Sequence, residues 1–241
     1  MQIQKKNILF IPKQKTKKQM DAAHADVITD VAYNWYGSRL AVASADHSVS
    51  IWQNSGGTWT LHKRFVAHSA PVRSAAWAAP ELGELLATAG DRTVKIWQKD
   101  PSKELFRITL NAAAIQVKWA PPAFALKIAA VDASGAITIA ECLDPHSQVW
   151  DIVTLNSIDH SLRIALDWAG EAHMFVVACD LYAKIYFFDN KWKVKETIQH
   201  SSVLTCVAWA PSMGRSFHLI ATAALDGHVR IFKLKPDIVS S

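Results

Sequence analysis

The sequence predicts an all-β propeller of about five four-stranded blades, and three observations carry the prediction. One strand pattern ending in an aromatic residue recurs at Tyr33, Trp77, Trp119, Trp168 and Trp209, at intervals of 41 to 49 residues. A tight-turn position recurs with it at Asp46, Asp91, Ser134, Asp180 and Asp226, at intervals of 45, 43, 46 and 46. No stretch sustains the three-and-four spacing of apolar residues that an amphipathic helix needs.

Within each repeat the elements follow in a fixed order. The first strand is Val31-Ala32-Tyr33, Ala75-Ala76-Trp77, Val117-Lys118-Trp119, Leu166-Asp167-Trp168 or Val207-Ala208-Trp209. After a turn comes a strand of small apolar residues, such as Leu40 to Ser44 or Leu219 to Thr222. The tight turn leads to an alternating third strand, best seen in Val49-Ser50-Ile51-Trp52, Val94-Lys95-Ile96-Trp97 and Val229-Arg230-Ile231-Phe232. Trp59 to Phe65, Glu104 to Leu110, Val149 to Leu155 and Lys193 to Ile198 alternate as outer fourth strands. Four short strands per repeat, with an aromatic near the end of the third, is the pattern of WD-repeat blades. A lone sheet cannot bury both faces, whereas sheets stacked radially cover one another. The expected division is a flexible basic leader over 1–21, a propeller over 22–236 with repeats at about 22–56, 57–100, 101–145, 146–190 and 191–236, and a tail over 237–241.

The chain has 241 residues, half of them hydrophobic, enough for one domain with a sizeable core. Its net charge of +5 is concentrated at the start: residues 1–20 carry six lysines and no acid, leaving a nearly neutral body. That excludes a basic face tracking nucleic-acid phosphates. Cys142, Cys179 and Cys206 form no CxxC pair and suit a reducing compartment. No apolar run approaches the length of a membrane span. The lysines of Pro12 to Lys18 suit a solvated tail, with a nuclear-import signal or contact with an acidic surface as the alternatives.

The polar residues point to structure rather than catalysis. His24, Ser44, Asp46 and Trp52 resemble a nucleophile, base and carboxylate set, yet His68, Asp91 and Trp97 repeat it, as do His200, Asp226 and Phe232. A catalytic site is needed once, so these are read as a repeated hydrogen-bond network between turn and outer loop. The ten histidines form no cluster with ligand spacing, and phosphate-binding or hydrolase glycine motifs are absent, so no enzyme activity, metal or cofactor is expected. Trp52, Trp77, Trp97, Trp119, Trp168 and Trp209 fall on core positions of the repeat. Trp35, Trp59, Trp150 and Trp192 fall in turns or outer strands and are candidate partner anchors, together with Phe10 in a leader segment, Asn7 to Ile11, that suits an added outer strand.

Val207 to Ala223, ending in Asp226-Gly-His-Val-Arg-Ile-Phe-Lys-Leu-Lys-Pro236, resembles the Seh-type WD-repeat nucleoporins. Trp77 to Ala87 is similar to that family and to the WD-repeat subunit of the COPII vesicle coat; Asn34 to Ala41 and Lys191 to Thr197 agree with the nucleoporin branch. The resemblance implies a scaffold in the Y-shaped subcomplex of the nuclear pore, supporting nucleocytoplasmic transport, with a second place in a TOR-regulating complex at the vacuolar or lysosomal membrane. A coat subunit or other cytoplasmic adaptor is the alternative. It further implies an open ring, into which a large α-helical solenoid protein inserts strands as an extra blade. Only five residues follow Pro236, so the family's sixth repeat is missing and a wider opening is expected.

Overall fold

A computed structural model of the chain describes residues 24–98, 103–144, 149–156, 164–170, 173–211 and 214–235. Five antiparallel sheets follow one another along the chain. The first is β1 (Ile28–Tyr33), β2 (Arg39–Ser44), β3 (Ser48–Ser55) and β4 (Thr58–Val66). The second is β5 (Val72–Trp77), β6 (Leu86–Gly90), β7 (Thr93–Trp97) and β8 (Glu104–Thr109); the third is β9 (Ala114–Trp119), β10 (Lys127–Asp132), β11 (Ala136–Asp144) and β12 (Val149–Asn156). The fourth is β13 (Ile164–Trp168), β14 (Met174–Cys179), β15 (Tyr182–Asp189) and β16 (Lys191–Gln199), and the fifth is β17 (Leu204–Trp209), β18 (His218–Ala224) and β19 (Val229–Leu234). Each sheet is ordered as its strands occur in the chain.

The expected fourth strands coincide with β4, β8, β12 and β16 to within two residues at either end. The sequence repeat and the sheet are nevertheless offset. The repeat over 57–100 contributes β4 to the outer edge of the first sheet and β5 to β7 to the second. For this reason the fifth sheet has three strands among the described residues, not the four expected, and β19 is its edge. The leader strand proposed around Phe10 lies outside the described residues.

The sheets pack radially through their inner strands, β1 against β5, β5 against β9, β9 against β13 and β13 against β17. Two recurring polar links hold neighbours in register. Three of the four inner-strand tryptophans donate their indole N–H to the preceding inner strand, Trp77 to the Ala32 carbonyl at 3.1 Å, Trp119 to Ala76 at 3.0 Å and Trp168 to Lys118 at 3.3 Å, whereas the Trp209 N–H is buried without a partner. In return a side chain of the preceding strand accepts a backbone amide of the next: Asp30 from Ala75 at 3.0 Å, Gln116 from Leu166 at 2.6 Å and Asp167 from Trp209 at 2.8 Å. These bonds use amides and carbonyls that an inner strand, unpaired on its axial side, would otherwise leave costly inside. Apolar packing supplies the bulk of the cohesion, as where Ala41, Ala43, Val49 and Ile51 of the first sheet lie against Val72, Ala75 and Leu86 of the second.

Candidate functional site

In the second sheet the turn network is complete. His68, 2% exposed, approaches the Asp91 carboxylate with Nδ1 at 3.2 Å and the Thr88 hydroxyl with Nε2 at 2.9 Å. Trp97 donates its indole N–H to the same hydroxyl at 2.9 Å. Because the ionised Asp91 carboxylate can only accept, Nδ1 carries the proton and donates to it, and in the neutral imidazole Nε2 then accepts the Thr88 hydroxyl proton. Burial agrees, holding the His68 pKa below the usual imidazole range against the raising influence of Asp91. Burial works to raise Asp91, but bonds from the Thr93 hydroxyl and the Ser69 amide, with His68, outweigh it and hold the carboxyl at about 2. Gly90 is required beside them: a Cβ there would come within 2.8 Å of the His68 ring.

Both shifts act on stability in the same direction. A depressed folded pKa means that the unfolded chain binds more protons, so stability falls as pH falls. The thermal midpoint is therefore expected to decline below about pH 6.5 through His68 and again below about pH 4 through Asp91. Thermal scans of wild type and His68→Gln check this, the variant showing a smaller upper decline, since burial also holds His173 and His200 below the usual imidazole range.

The first sheet builds the same relay with one residue exchanged. His24 meets Asp46 at 3.1 Å through Nδ1 and the Ser50 hydroxyl at 2.8 Å through Nε2, and Trp52 donates to Ser50 at 3.0 Å. Ser50, not the expected Ser44, thus joins histidine to tryptophan. Ser50 lies directly across the β2–β3 pairing from Val42, the position that Thr88 occupies in β6, so the hydroxyl has moved to the facing strand. Ser44 instead donates to the Asp26 and Val27 carbonyls and accepts the Asp46 amide. The sequence held the signal in Ser50-Ile51-Trp52, which places hydroxyl and indole on one side of the strand.

In the fifth sheet the expected trio does not form a network. Arg230 takes the Asp226 carboxylate with both terminal nitrogens, at 2.6 and 3.3 Å, and with the His228 amide holds its pKa at about 2. Phe232 stands where Trp97 stands and has no N–H to give. His200 Nε2 and Thr222 Oγ1 are left buried without a partner. In the third sheet Ser134 donates to Asp132, which does the work of the missing turn aspartate.

Of the expected anchors, Trp35 is 72% exposed. The other three candidate anchors, Trp59, Trp150 and Trp192, are half-buried against their own chain rather than fully exposed. Trp59 meets Tyr33 at 5.7 Å, Trp150 stacks on Phe106 at 4.8 Å, and Trp192 lies 4.9 Å from Phe175. Trp150 reaches a ring of the neighbouring blade, whereas Trp59 and Trp192 fold back over rings of their own sheets. Phe10 lies outside the described residues.

The surface that periodicity missed is one face of the fifth sheet. Ala221 faces Ile231 and Ala223 faces Val229, in the register that pairs Ala41 with Ile51 and Ala43 with Val49, and Ala87 with Ile96 and Ala89 with Val94. In the first two sheets all eight residues are buried at 1% exposure or less under the next sheet. In the fifth, Val229 is 69% and Ile231 70% exposed, and Cys206 and Ala208 extend the bare strip. At the other end of the stack β1 exposes Val31 and Tyr33. Among the described residues no group of histidine, cysteine or acidic side chains has metal-binding geometry, and no helix is long and apolar enough to cross a membrane.

The WD domain, G-beta repeat family matches residues 15–53, 59–98 and 192–233. The chain is 30% identical to Nucleoporin SEH1 of Saccharomyces cerevisiae, over 89% of this chain and 69% of the relative. It is 30% identical to Nucleoporin seh1 of Schizosaccharomyces pombe (88% and 70%) and 31% identical to Nucleoporin SEH1 of Bos taurus (91% and 69%). The matched repeats are those whose turns carry histidine and aspartate together, and the likeness extends through the divergent third and fourth sheets, so the chain belongs to the SEH1 nucleoporin family of WD-repeat proteins.

Proposed function

We propose that this chain is a non-catalytic scaffold subunit of the nuclear pore, located at the nuclear envelope and docked to a helical-solenoid nucleoporin that supplies strands to the open end of its propeller. The single observation that carries the docking mode is the bare Ala221, Ala223, Val229 and Ile231 face, whose counterparts in the first two sheets are fully covered. Beside it the β19 edge, unpaired among the described residues, is a template for strand addition that buries apolar surface and backbone polarity together. Membership of the SEH1 family supports the nuclear pore as the place.

Co-expression with a helical-solenoid nucleoporin should give a one-to-one complex on size exclusion, and a fluorescently tagged chain should mark the nuclear rim. Ile231→Asp, at an exposed site that leaves the isolated fold intact, should weaken the complex at least tenfold, since a buried unpaired charge costs several kcal/mol, roughly, at such a contact. A complex indifferent to Ile231→Asp rejects the docking mode, and fluorescence at vesicle-budding sites rejects the nuclear pore in favour of a coat.

A further inference from the structure

The axial mouth of the propeller, at the C-terminal ends of the inner strands, has no role in the docking just described. It encloses about 470 Å³. Its wall takes one large ring from each inner strand, Tyr33, Trp77, Trp119, Trp168 and Trp209, and the exposed Trp35 stands at the rim. Asp167 is the one ionisable carboxylate in that wall, and no lysine or arginine lines it among the described residues. Its Oδ2 accepts the Trp209 amide at 2.8 Å, and Lys118, the nearest cation acting on it, does so only through space. Burial pushes the Asp167 carboxyl above the usual carboxylate range against the lowering influence of Lys118 and the Trp209 amide.

From this combination we infer that the mouth is a binding site for an arginine side chain presented by an extended segment of a partner protein. A guanidinium is planar and weakly hydrated, so it stacks on indole faces where a compact ammonium stays in water, and its fork of N–H donors suits a carboxylate set among rings. The ring quadrupoles and Asp167 attract the same sign of charge, which disfavours an anionic occupant. A volume of about 470 Å³ exceeds one side chain and leaves room for the backbone that carries it. Ile231 of the docking face does not line the mouth, and Asp167 and Trp35 do not lie on the docking face, so the two readings are tested by different variants and can fail separately.

The test titrates the full chain with acetyl-Gly-Arg-Gly-amide and with the same peptide carrying citrulline, the uncharged isostere, following tryptophan indole N–H resonances. The arginine peptide should shift the indoles of Trp77, Trp168 and Trp209 saturably, with the citrulline peptide about tenfold weaker. Asp167→Asn keeps an oxygen for the Trp209 amide and should erase that difference. Trp35→Ala, at an exposed rim position, should weaken the arginine peptide severalfold and stands as the test should Asp167→Asn fail to fold. Equal binding of the two peptides, shifts confined to indoles away from the mouth, or a preference unchanged by both variants overturns the assignment.

Discussion

Phe175→Ala is expected to cost about 3–5 kcal/mol, the largest loss from any single truncation in this chain. Phe175 is wholly buried and stacks on Tyr186 at 4.9 Å and 10° between ring planes, with Trp168 at 5.2 Å and Trp192 at 4.9 Å, themselves in contact at 5.9 Å, closing round it. It thereby joins the inner, central and outer strands of the fourth sheet, and the same cluster includes Val131, Ile137 and Ile139 of the third. Alanine leaves a void bounded by large rigid rings, which cannot collapse into it as a patch of leucines would. Against a total stability of about 5–15 kcal/mol such a loss brings the domain close to unfolding at ambient temperature. Urea denaturation measures it. Phe175→Leu, which keeps most of the volume, should lose less than about 1.5 kcal/mol, and an alanine variant as stable as that would contradict the packing described.

Thr88→Val and Thr222→Val should differ sharply although they occupy equivalent positions in two sheets. Valine at 88 removes the oxygen that joins His68 to Trp97 and strands both buried groups, for a loss of about 2–5 kcal/mol. At 222 the hydroxyl is already buried without a partner, as is His200 Nε2, and Phe232 offers no donor. There a methyl replaces an unsatisfied oxygen, and the change should lie within about 1 kcal/mol of zero or be stabilising. Parallel thermal melts decide it. Equal losses would mean that the two turns are held alike, and that the Asp226–Arg230 pair does not divert the fifth network.

The period of the chain was plain in its residues. Alternation and turn spacing located the strands, and recurrence of His, Asp and Trp assigned the polar residues to repeated turns rather than to one reactive centre. Finer assignments failed where a second polar residue lay near enough to take a partner. Ser44 and Ser50 both lie within reach of His24 along the chain, but only Ser50 shares a strand side with Trp52. His200 and Asp226 match the pattern letter by letter, yet Arg230, on the neighbouring strand, competes for the carboxylate through two nitrogens.

By itself the sequence determined the repeating unit, because a period of two along each strand and of about 45 residues between turns are local properties that neighbouring residues impose on one another. Only the tertiary structure decided which unit goes uncovered. Ala41, Ala43, Val49 and Ile51 read the same as Ala221, Ala223, Val229 and Ile231, and local pattern cannot tell them apart. Burial is a relation between sheets: a face is core where another sheet lies upon it and is left bare where none does.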